Sequence, residues 1–253
     1  MHPRRLYAHR GASAERPENT LVAFQRAMEI GVDSLEMDVH LTRDGTFVVV
    51  HDEDGLRTCG VPVKWRDLDL AEAQRLDAGW GFVAADGSRP FAGHGIHVPT
   101  FESILVEFPR IHVNVDLKGE DAAVAMLELV RRLGAEDRVT LASFQTATML
   151  AARRRGYGGE TGLAQAEVAT LLALPALLWR QLPFTGTAAQ VPTHQGPIRF
   201  DRTTFAAKCH SLGLRLDFWT IDDPTEAQRL LAIGADGIIT NDPAAVKPVF
   251  AAL

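Results

Sequence analysis

The sequence predicts an α/β protein, a single (β/α)8 TIM barrel over residues 1–253, with an extra β-hairpin strand and one insertion, about residues 55–98, at its C-terminal rim. Three observations carry this expectation. Short apolar, β-rich runs recur along the chain at 5–9, 34–39, 111–117, 139–143, 161–165, 188–192, 215–220 and 237–240, eight in all. Helical patterns and glycines alternate with them, the grammar of parallel βα units. No stretch rich in Gly, Ser or charge marks a linker between two domains. A doubly wound open sheet obeys the same grammar and is the alternative.

Taken in order, the first run follows Met1-His2-Pro3 with no hydrophobic leader before it, so a cytoplasmic location is expected. Residues 20–30 have apolar side chains at helical spacing, with Asn19 as the expected cap and Gly31 as the stop. Residues 121–133 repeat the pattern, acidic at the start and ending in Arg131-Arg132, the order the helix dipole favours. Arg153-Arg154-Arg155 reads in the same way as a solvated helix end. Residues 46–51 form an additional strand, and Pro99-Thr100 starts the next helix after the insertion. Within the insertion, Trp65, Trp80, Phe82 and Phe91 stand among glycines, as a pocket wall or as a cover for the barrel.

Composition narrows the function. With 46% hydrophobic and 23% charged residues, the chain can bury a core and is not disordered. Cys59 and Cys209 are too few for a disulfide framework. No apolar run reaches the ~20 residues a membrane helix needs; the best, 171–179, is broken by Pro175. A net charge of -6 disfavours nucleic acid and stable association with anionic membranes.

The stretch from Glu36 to His51 is the most informative. Asp44-Gly45 between two alternating runs predicts a two-residue type I′ hairpin, pairing Arg43 with Thr46 and setting Asp38 opposite His51. Glu36, two residues from Asp38, shares its face of the strand. Two adjacent carboxylates call for a compensating cation, and a divalent metal, Mg2+ or Ca2+, suits oxygen ligands. A solvated or Arg-paired rim is the alternative for these two acids alone. Two other strand ends add to them: His9-Arg10 closes the first run, and Asp116 and Lys118 lie two apart at the end of the third. Cations converging on metal-binding acids describe a site for an anion such as phosphate. Trp219, at the end of the seventh run, is either a rim residue packing on substrate or a core aromatic. Asn19 is read as a helix cap in preference to a ligand, His40 is left without a role, and His94 and His97 form no metal site.

His9-Arg10-Gly11, Pro17-Glu18-Asn19-Thr20, Glu36-Met37-Asp38-Val39, His51-Asp52, Val98-Pro99-Thr100-Phe101, Ser143-Phe144, Trp219-Thr220-Ile221 and residues 237–243 follow one another along nearly the whole chain. As an ordered set they resemble the bacterial glycerophosphodiester phosphodiesterases. That resemblance implies a barrel hydrolase that converts small soluble glycerophosphodiesters, such as glycerophosphocholine or glycerophosphoethanolamine, into sn-glycerol 3-phosphate and an alcohol, with a divalent metal, Mg2+ or Ca2+. It implies His9 and His51 as the acid–base pair, Glu36, Asp38 and Asp116 as metal ligands, and Arg10, Lys118 and Trp219 on the substrate. Asp116 stands where the family usually has Glu, and Asp222 where Asn is common. A phospholipase D of the sphingomyelinase type, a related barrel, is the nearest rival reading. A phosphodiester-binding barrel without catalysis is the second.

Overall fold

A computed structural model of the chain describes residues 2–118, 122–179 and 186–251. Its strands are β1 (Arg5–His9), β2 (Ser34–Leu41), β3 (Phe47–Val49), β4 (His112–Leu117), β5 (Val139–Ala142), β6 (Ala188–Val191), a small hairpin of β7 (His194–Gln195) and β8 (Ile198–Arg199), β9 (Arg215–Phe218) and β10 (Gly237–Thr240). Between them lie α1 (Leu21–Ile30), α2 (Leu56–Cys59), α3 (Leu70–Ala73), α4 (Phe101–Glu107), α5 (Ala122–Arg132), α6 (Thr146–Arg154), α7 (Gln165–Ala173), α8 (Ala176–Trp179), α9 (Thr203–Ser211), α10 (Pro224–Ala232) and α11 (Pro243–Ala251). Asp121, the predicted acidic start of α5, lies outside the described residues.

Seven strands pair in parallel in the order β5-β4-β2-β1-β10-β9-β6. The two edge strands are linked through Thr161 and Gly162 by isolated parallel bridges, Leu141 to Thr161 and Gly162 to Ala188. The architecture is thus an α/β, TIM-like barrel. The strand predicted at 161–165 shrinks to this bridged pair, for two local reasons. Glu167 folds back onto the Ala164 N–H at 2.8 Å, which starts α7 at Gln165 and ends the extended run. The Arg153 guanidinium accompanies it, donating to the Gly162 carbonyl (2.7 Å), Thr161 Oγ1 (3.0 Å) and Glu167 Oε1 (2.6 Å). Arg153 is therefore no solvated helix end; it is buried with Glu167 and holds one barrel wall in place.

Alternation along the strands separates two environments. Leu6, Ala8, Leu35, Met37, Val113, Val115 and Ile238 join the main apolar core together with Phe24, Met126 and Leu230 of the helices. The intervening residues are mostly polar. Tyr7 Oη donates to Asp217 Oδ2 (3.1 Å), and Arg215 reaches Asp217 Oδ1 at 3.1 Å. Glu160 receives Arg5 at 2.6 Å and Thr140 at 2.9 Å, with His112 at 3.5 Å. Barrel interiors are usually filled with branched apolar side chains; this one is a hydrogen-bonded polar lattice continuous with the site above it.

α1 begins at Leu21, capped by the Thr20 side chain and not by Asn19, and ends at Gly31 in the left-handed conformation (φ 84°). The β2–β3 hairpin also departs from expectation. Its register pairs Val39 with Val49 and Leu41 with Phe47, and the Val50 N–H donates to the Asp38 carbonyl. Asp38 thus faces Val50, one residue short of His51. The cause is a three-residue loop in place of a two-residue one: Thr42 pairs with Thr46, and Gly45 takes φ 77°. The other edge of β3 receives the returning chain, with the Val49 N–H on the Pro99 carbonyl. Residues 55–98 leave and return around it, and a second core of Val48, Val50, Cys59, Trp65, Ala73, Ala78 and Val98 lies there.

Two stability measurements check these interactions. Arg153→Ala strands a buried Glu167 carboxylate and is expected to cost about 3–5 kcal/mol in urea unfolding. Glu160 is held well below the usual carboxylate range by the His112 hydrogen bond, with Arg5 adding to it and burial opposing. Its stabilisation is therefore present above the unfolded carboxyl value of about 4.3 and lost below it. Glu160→Gln is expected to lower stability at pH 7 by about 1–2 kcal/mol, since solvent partly screens the pair, and the gap should narrow progressively as pH falls below about 5.

Candidate active site

Parallel register stacks the site in layers. His9 of β1 pairs with Glu36 of β2, which pairs with Asn114 of β4; one step further along, Asp38 pairs with Asp116. Side chains two apart share a face, so Glu36 and Asp38 rise from one strand and Asn114 and Asp116 from its neighbour. Together with Arg10, His51 and Lys118 they line a cavity of about 220 Å³. Ser143, Phe144, Gly162, Leu163, Gln190 and Trp219 complete its wall. All eight residues expected at the site from the sequence border this one cavity.

Where β1 ends, the backbone turns through two left-handed residues, Arg10 (φ 57°) and Gly11 (φ 83°). A side chain at Gly11 would lie 2.7 Å from Ala23 of α1, so only glycine lets the helix approach. The turn aims the Arg10 N–H at Glu36, at 2.9 Å from its carbonyl and 3.1 Å from Oε2. The Arg10 side chain donates to Glu18 at 3.0 Å, and its Nε forms an ion pair with Asp38 Oδ2 at 3.1 Å. Lys118 Nζ lies 3.0 Å from Asp38 Oδ1 and also binds Asp116. Asn19, buried at φ 57°, donates to Asp38 Oδ2 at 3.3 Å. Asn19 therefore belongs to the site and not to the helix cap.

Each of the two histidines has Nδ1 engaged. His9 Nδ1 lies 2.7 Å from Asn241 Oδ1, and His51 Nδ1 lies 2.7 Å from Asp52 Oδ1. An amide oxygen and a carboxylate can only accept, so both rings carry the proton on Nδ1 when neutral. His51 lies beyond the end of β3, in a bend, and neighbouring groups fix it where cross-strand pairing does not. His40 Nε2 reaches the His51 carbonyl at 3.0 Å, which gives that histidine a supporting role. Asp52 accepts Arg57 Nε at 2.6 Å, and the Arg57 guanidinium also grips Glu18 at 2.5 and 2.8 Å. A chain of alternating charge thus runs from His51 through Asp52, Arg57, Glu18 and Arg10 to Asp38.

The field inside the site is uneven. Burial, then the charges of Asp38 and Asp116, push Glu36 well above the usual carboxylate range. Asp116 also rises, chiefly through burial. Asp38 falls, because Lys118 and Arg10 outweigh its burial. Burial and the Arg10 charge keep the His9 imidazole below its usual value, hence neutral near pH 7.

These atoms fit a divalent cation by chemistry. Three buried carboxylates offer hard oxygen donors, and Asp116 Oδ1 and Asn114 Oδ1 are buried without a hydrogen-bond partner among the described residues. The raised Glu36 marks a spot where positive charge is lacking. Among the described residues no three acidic, His or Cys side chains converge on one point as they stand. Lys118 and Arg10 occupy the oxygens of Asp38 instead.

The sequence model of the "Glycerophosphoryl diester phosphodiesterase family" matches residues 9–245. The chain belongs to this family. A glycerophosphodiester phosphodiesterase of Caldanaerobacter subterraneus subsp. tengcongensis is 31% identical over 245 residues, 94% of each chain. The crystal structure of a glycerophosphodiester phosphodiesterase from Agrobacterium tumefaciens superposes with a TM-score of 0.80 at 24% identity, covering 99% of this chain and 100% of that one. An Oleispira antarctica phosphodiesterase, solved with its product sn-glycerol-3-phosphate, superposes with a TM-score of 0.80 at 21% identity, covering 98% and 96%. The last two likenesses concern the fold.

Several site residues escaped the sequence reading. Asn114 obeys the same two-residue spacing as Asp116 and Lys118, so extending that rule one step back along the strand would have found it. Asp52, Glu18 and Arg57 carried no such signal, because they meet only through folding. Trp219 is half-buried at the cavity wall, edge-to-face with the exposed Phe144 at 5.9 Å, and so lies on the rim and not in the core. His94 and His97 are exposed and apart from the site.

The two central acids should respond oppositely to neutralisation. Glu36→Gln removes a disfavoured charge and is expected to leave stability unchanged or raise it by up to about 1 kcal/mol. Asp38→Asn strips Arg10 and Lys118 of their shared partner and should cost about 3 kcal/mol. Thermal unfolding at pH 7 in metal-free buffer checks both.

Proposed function

We propose that this chain is a glycerophosphodiester phosphodiesterase, hydrolysing small diesters such as glycerophosphocholine to sn-glycerol 3-phosphate and the head-group alcohol. The observation that carries this reading is the cavity in which two histidines with free Nε2 edges meet a buried acid cluster and two cations. Family membership over residues 9–245 supports it.

Glu36, Asp38 and Asp116 would hold the divalent ion, Mg2+ or Ca2+. When bound, the ion supplies positive charge that offsets the charge developing on the phosphoryl oxygens. Arg10 and Lys118 would bind the phosphate anion, released in part from their present carboxylate partners. In hydrolysis the attacking oxygen bonds phosphorus, the P–O bond to the head-group alcohol breaks, and one water is consumed overall. His9, neutral and lone-paired at Nε2, takes the proton of the attacking hydroxyl. His51, entering the step as the imidazolium with Nδ1–H on Asp52, gives its Nε2 proton to the departing alkoxide and is left neutral. The attacking hydroxyl belongs either to water or to the adjacent glycerol carbon, the second route passing through a cyclic phosphate that water then opens. Trp219 and Phe144 offer an apolar face to the glycerol or head-group carbons. Residues 55–98 contribute Arg57, which braces Asp52 behind His51 and Glu18 behind Arg10 from outside the cavity, within one catalytic unit spanning the chain.

The barrel related to sphingomyelinase D is less favoured: the glycerophosphoryl diester phosphodiesterase model matches residues 9–245, and both cysteines are free and buried. Release of glycerol 3-phosphate from glycerophosphocholine tests the reading. His9→Ala and His51→Ala should each lower turnover by about 10²–10⁴-fold with the fold retained. Excess chelator should abolish turnover, and a divalent ion should restore it. Full activity in either variant overturns the histidine assignment. Faster release from sphingomyelin or a lysolipid than from glycerophosphocholine overturns the substrate.

A further inference from the structure

Three donors converge on one carboxylate beside the site. Asp222 Oδ1 accepts the Thr240 hydroxyl at 2.8 Å and the Asn241 backbone N–H at 2.7 Å. Asp222 Oδ2 accepts Asn241 Nδ2 at 2.9 Å. The Asn241 side chain is thereby oriented: its NH2 group faces Asp222, and its Oδ1 faces His9 Nδ1 at 2.7 Å and the Ser13 hydroxyl at 3.1 Å. Asp222 is exposed, yet both of its oxygens are engaged within this turn.

We propose that Asp222 is a positioning residue that selects the tautomer of His9 through the Asn241 amide. The inference rests on the reading of His9 as a proton carrier and says what sets its reactive edge. A carboxylate only accepts, so Asn241 can present only its NH2 group to Asp222. Its oxygen must then take a proton from His9, which places the ring proton on Nδ1 and the lone pair on Nε2, 3.9 Å from Glu36 and open to the cavity. Glu, Lys or a backbone carbonyl in place of Asn241 would not transmit this choice; a primary amide does, because its two ends differ and turn together.

The effect of an amide at position 222 follows from the same count. Asparagine there has one acceptor oxygen for three donors. Set on the Thr240 and Asn241 N–H groups, that oxygen leaves its own NH2 facing the Asn241 side chain. Asn241 then turns to accept, its NH2 meets His9 Nδ1, and the His9 proton moves to Nε2. The reactive edge becomes a donor. In the exchanged pair Asp222→Asn with Asn241→Asp, the amide at 222 donates to the carboxylate at 241, whose second oxygen accepts from His9 Nδ1. The original tautomer returns.

The test combines ¹⁵N NMR of the histidine rings with steady-state kinetics on the full-length enzyme. His9→Gln identifies the His9 resonances by their loss, and spectra are taken at a pH where the ring is neutral. Wild type is expected to show the Nδ1–H pattern, Asp222→Asn the Nε2–H pattern, and the exchanged double variant the Nδ1–H pattern again. In kinetics on glycerophosphocholine, Asp222→Asn should lose about tenfold in kcat with KM changed less than about twofold, and the double variant should recover most of it. Unfolding temperatures close to wild type exclude a folding defect. Should Asp222→Asn fold poorly, Asp222→Ala, which leaves the Asn241 amide without its selecting acceptor, is expected to show a mixture of the two ring patterns, and an unmixed Nδ1–H pattern there overturns the inference. An Asp222→Asn enzyme that keeps the Nδ1–H pattern, or that changes it at undiminished kcat, overturns the inference. Full activity of His9→Gln overturns instead the catalytic reading of His9, an outcome the ring spectra of the other variants do not share.

Discussion

The Asp38 carboxylate is the constraint around which the site is arranged. It is 3% exposed, and a buried charge persists only where partners compensate its lost hydration. Arg10 comes to it from the end of β1, Asn19 from the turn before α1, and Lys118 from beyond β4. Its own backbone carbonyl receives Val50 at the base of the hairpin. One side chain thus ties together segments from residue 10 to residue 118, and each of them must take the conformation that lets it reach that point. The left-handed residues at Arg10, Gly11 and Asn19 are the visible consequence.

From this hub, order passes outward in two directions. Downward, the barrel interior continues as a polar lattice of Tyr7, Asp217, Arg215, Glu160 and His112, so the acid cluster stands on hydrogen-bonded groups and not on soft apolar packing. Upward, alternating charges run through Glu18 and Arg57 to Asp52 and His51. The two histidines are held in physically different ways. His9 ends a strand whose register with β2 and β10 sets its height. His51 sits on irregular chain and depends on Asp52, on His40 and on the small second core around Trp65, whose indole donates to the Asp52 carbonyl at 2.8 Å. Such a division suits acid–base chemistry, which needs two proton carriers on opposite sides of a substrate and at a fixed separation.

Much of this was legible in the chain. Seven of the eight predicted strands lie within a few residues of their observed bounds, because each runs apolar on one face and the two-residue period is local. Residue types at the strand ends and after the hairpin named eight of the residues that line the cavity. The departures share one cause. The hairpin slipped by one residue since Asp44-Gly45 is compatible with a two- or a three-residue loop, and only the Thr42–Thr46 pairing chooses. Asn19 reads as a cap until Asp38 is seen beside it, and Arg153 reads as a surface cation until Glu167 is.

Periodicity and turn chemistry are properties of neighbours along the chain, so the sequence by itself determined the α/β class, the strand order along the chain and the kind of chemistry the strand ends could support. Partners far apart in sequence were decided by the tertiary structure alone. The pairing of Arg10 with Asp38 and of Asp222 with Asn241 and His9, and the delivery of His51 by a loop where a ladder was expected, all depend on long-range register. The physical reason is that a buried charge or hydrogen-bonding group takes whichever complementary group the closed barrel brings within about 3 Å, and no local pattern records which one that is.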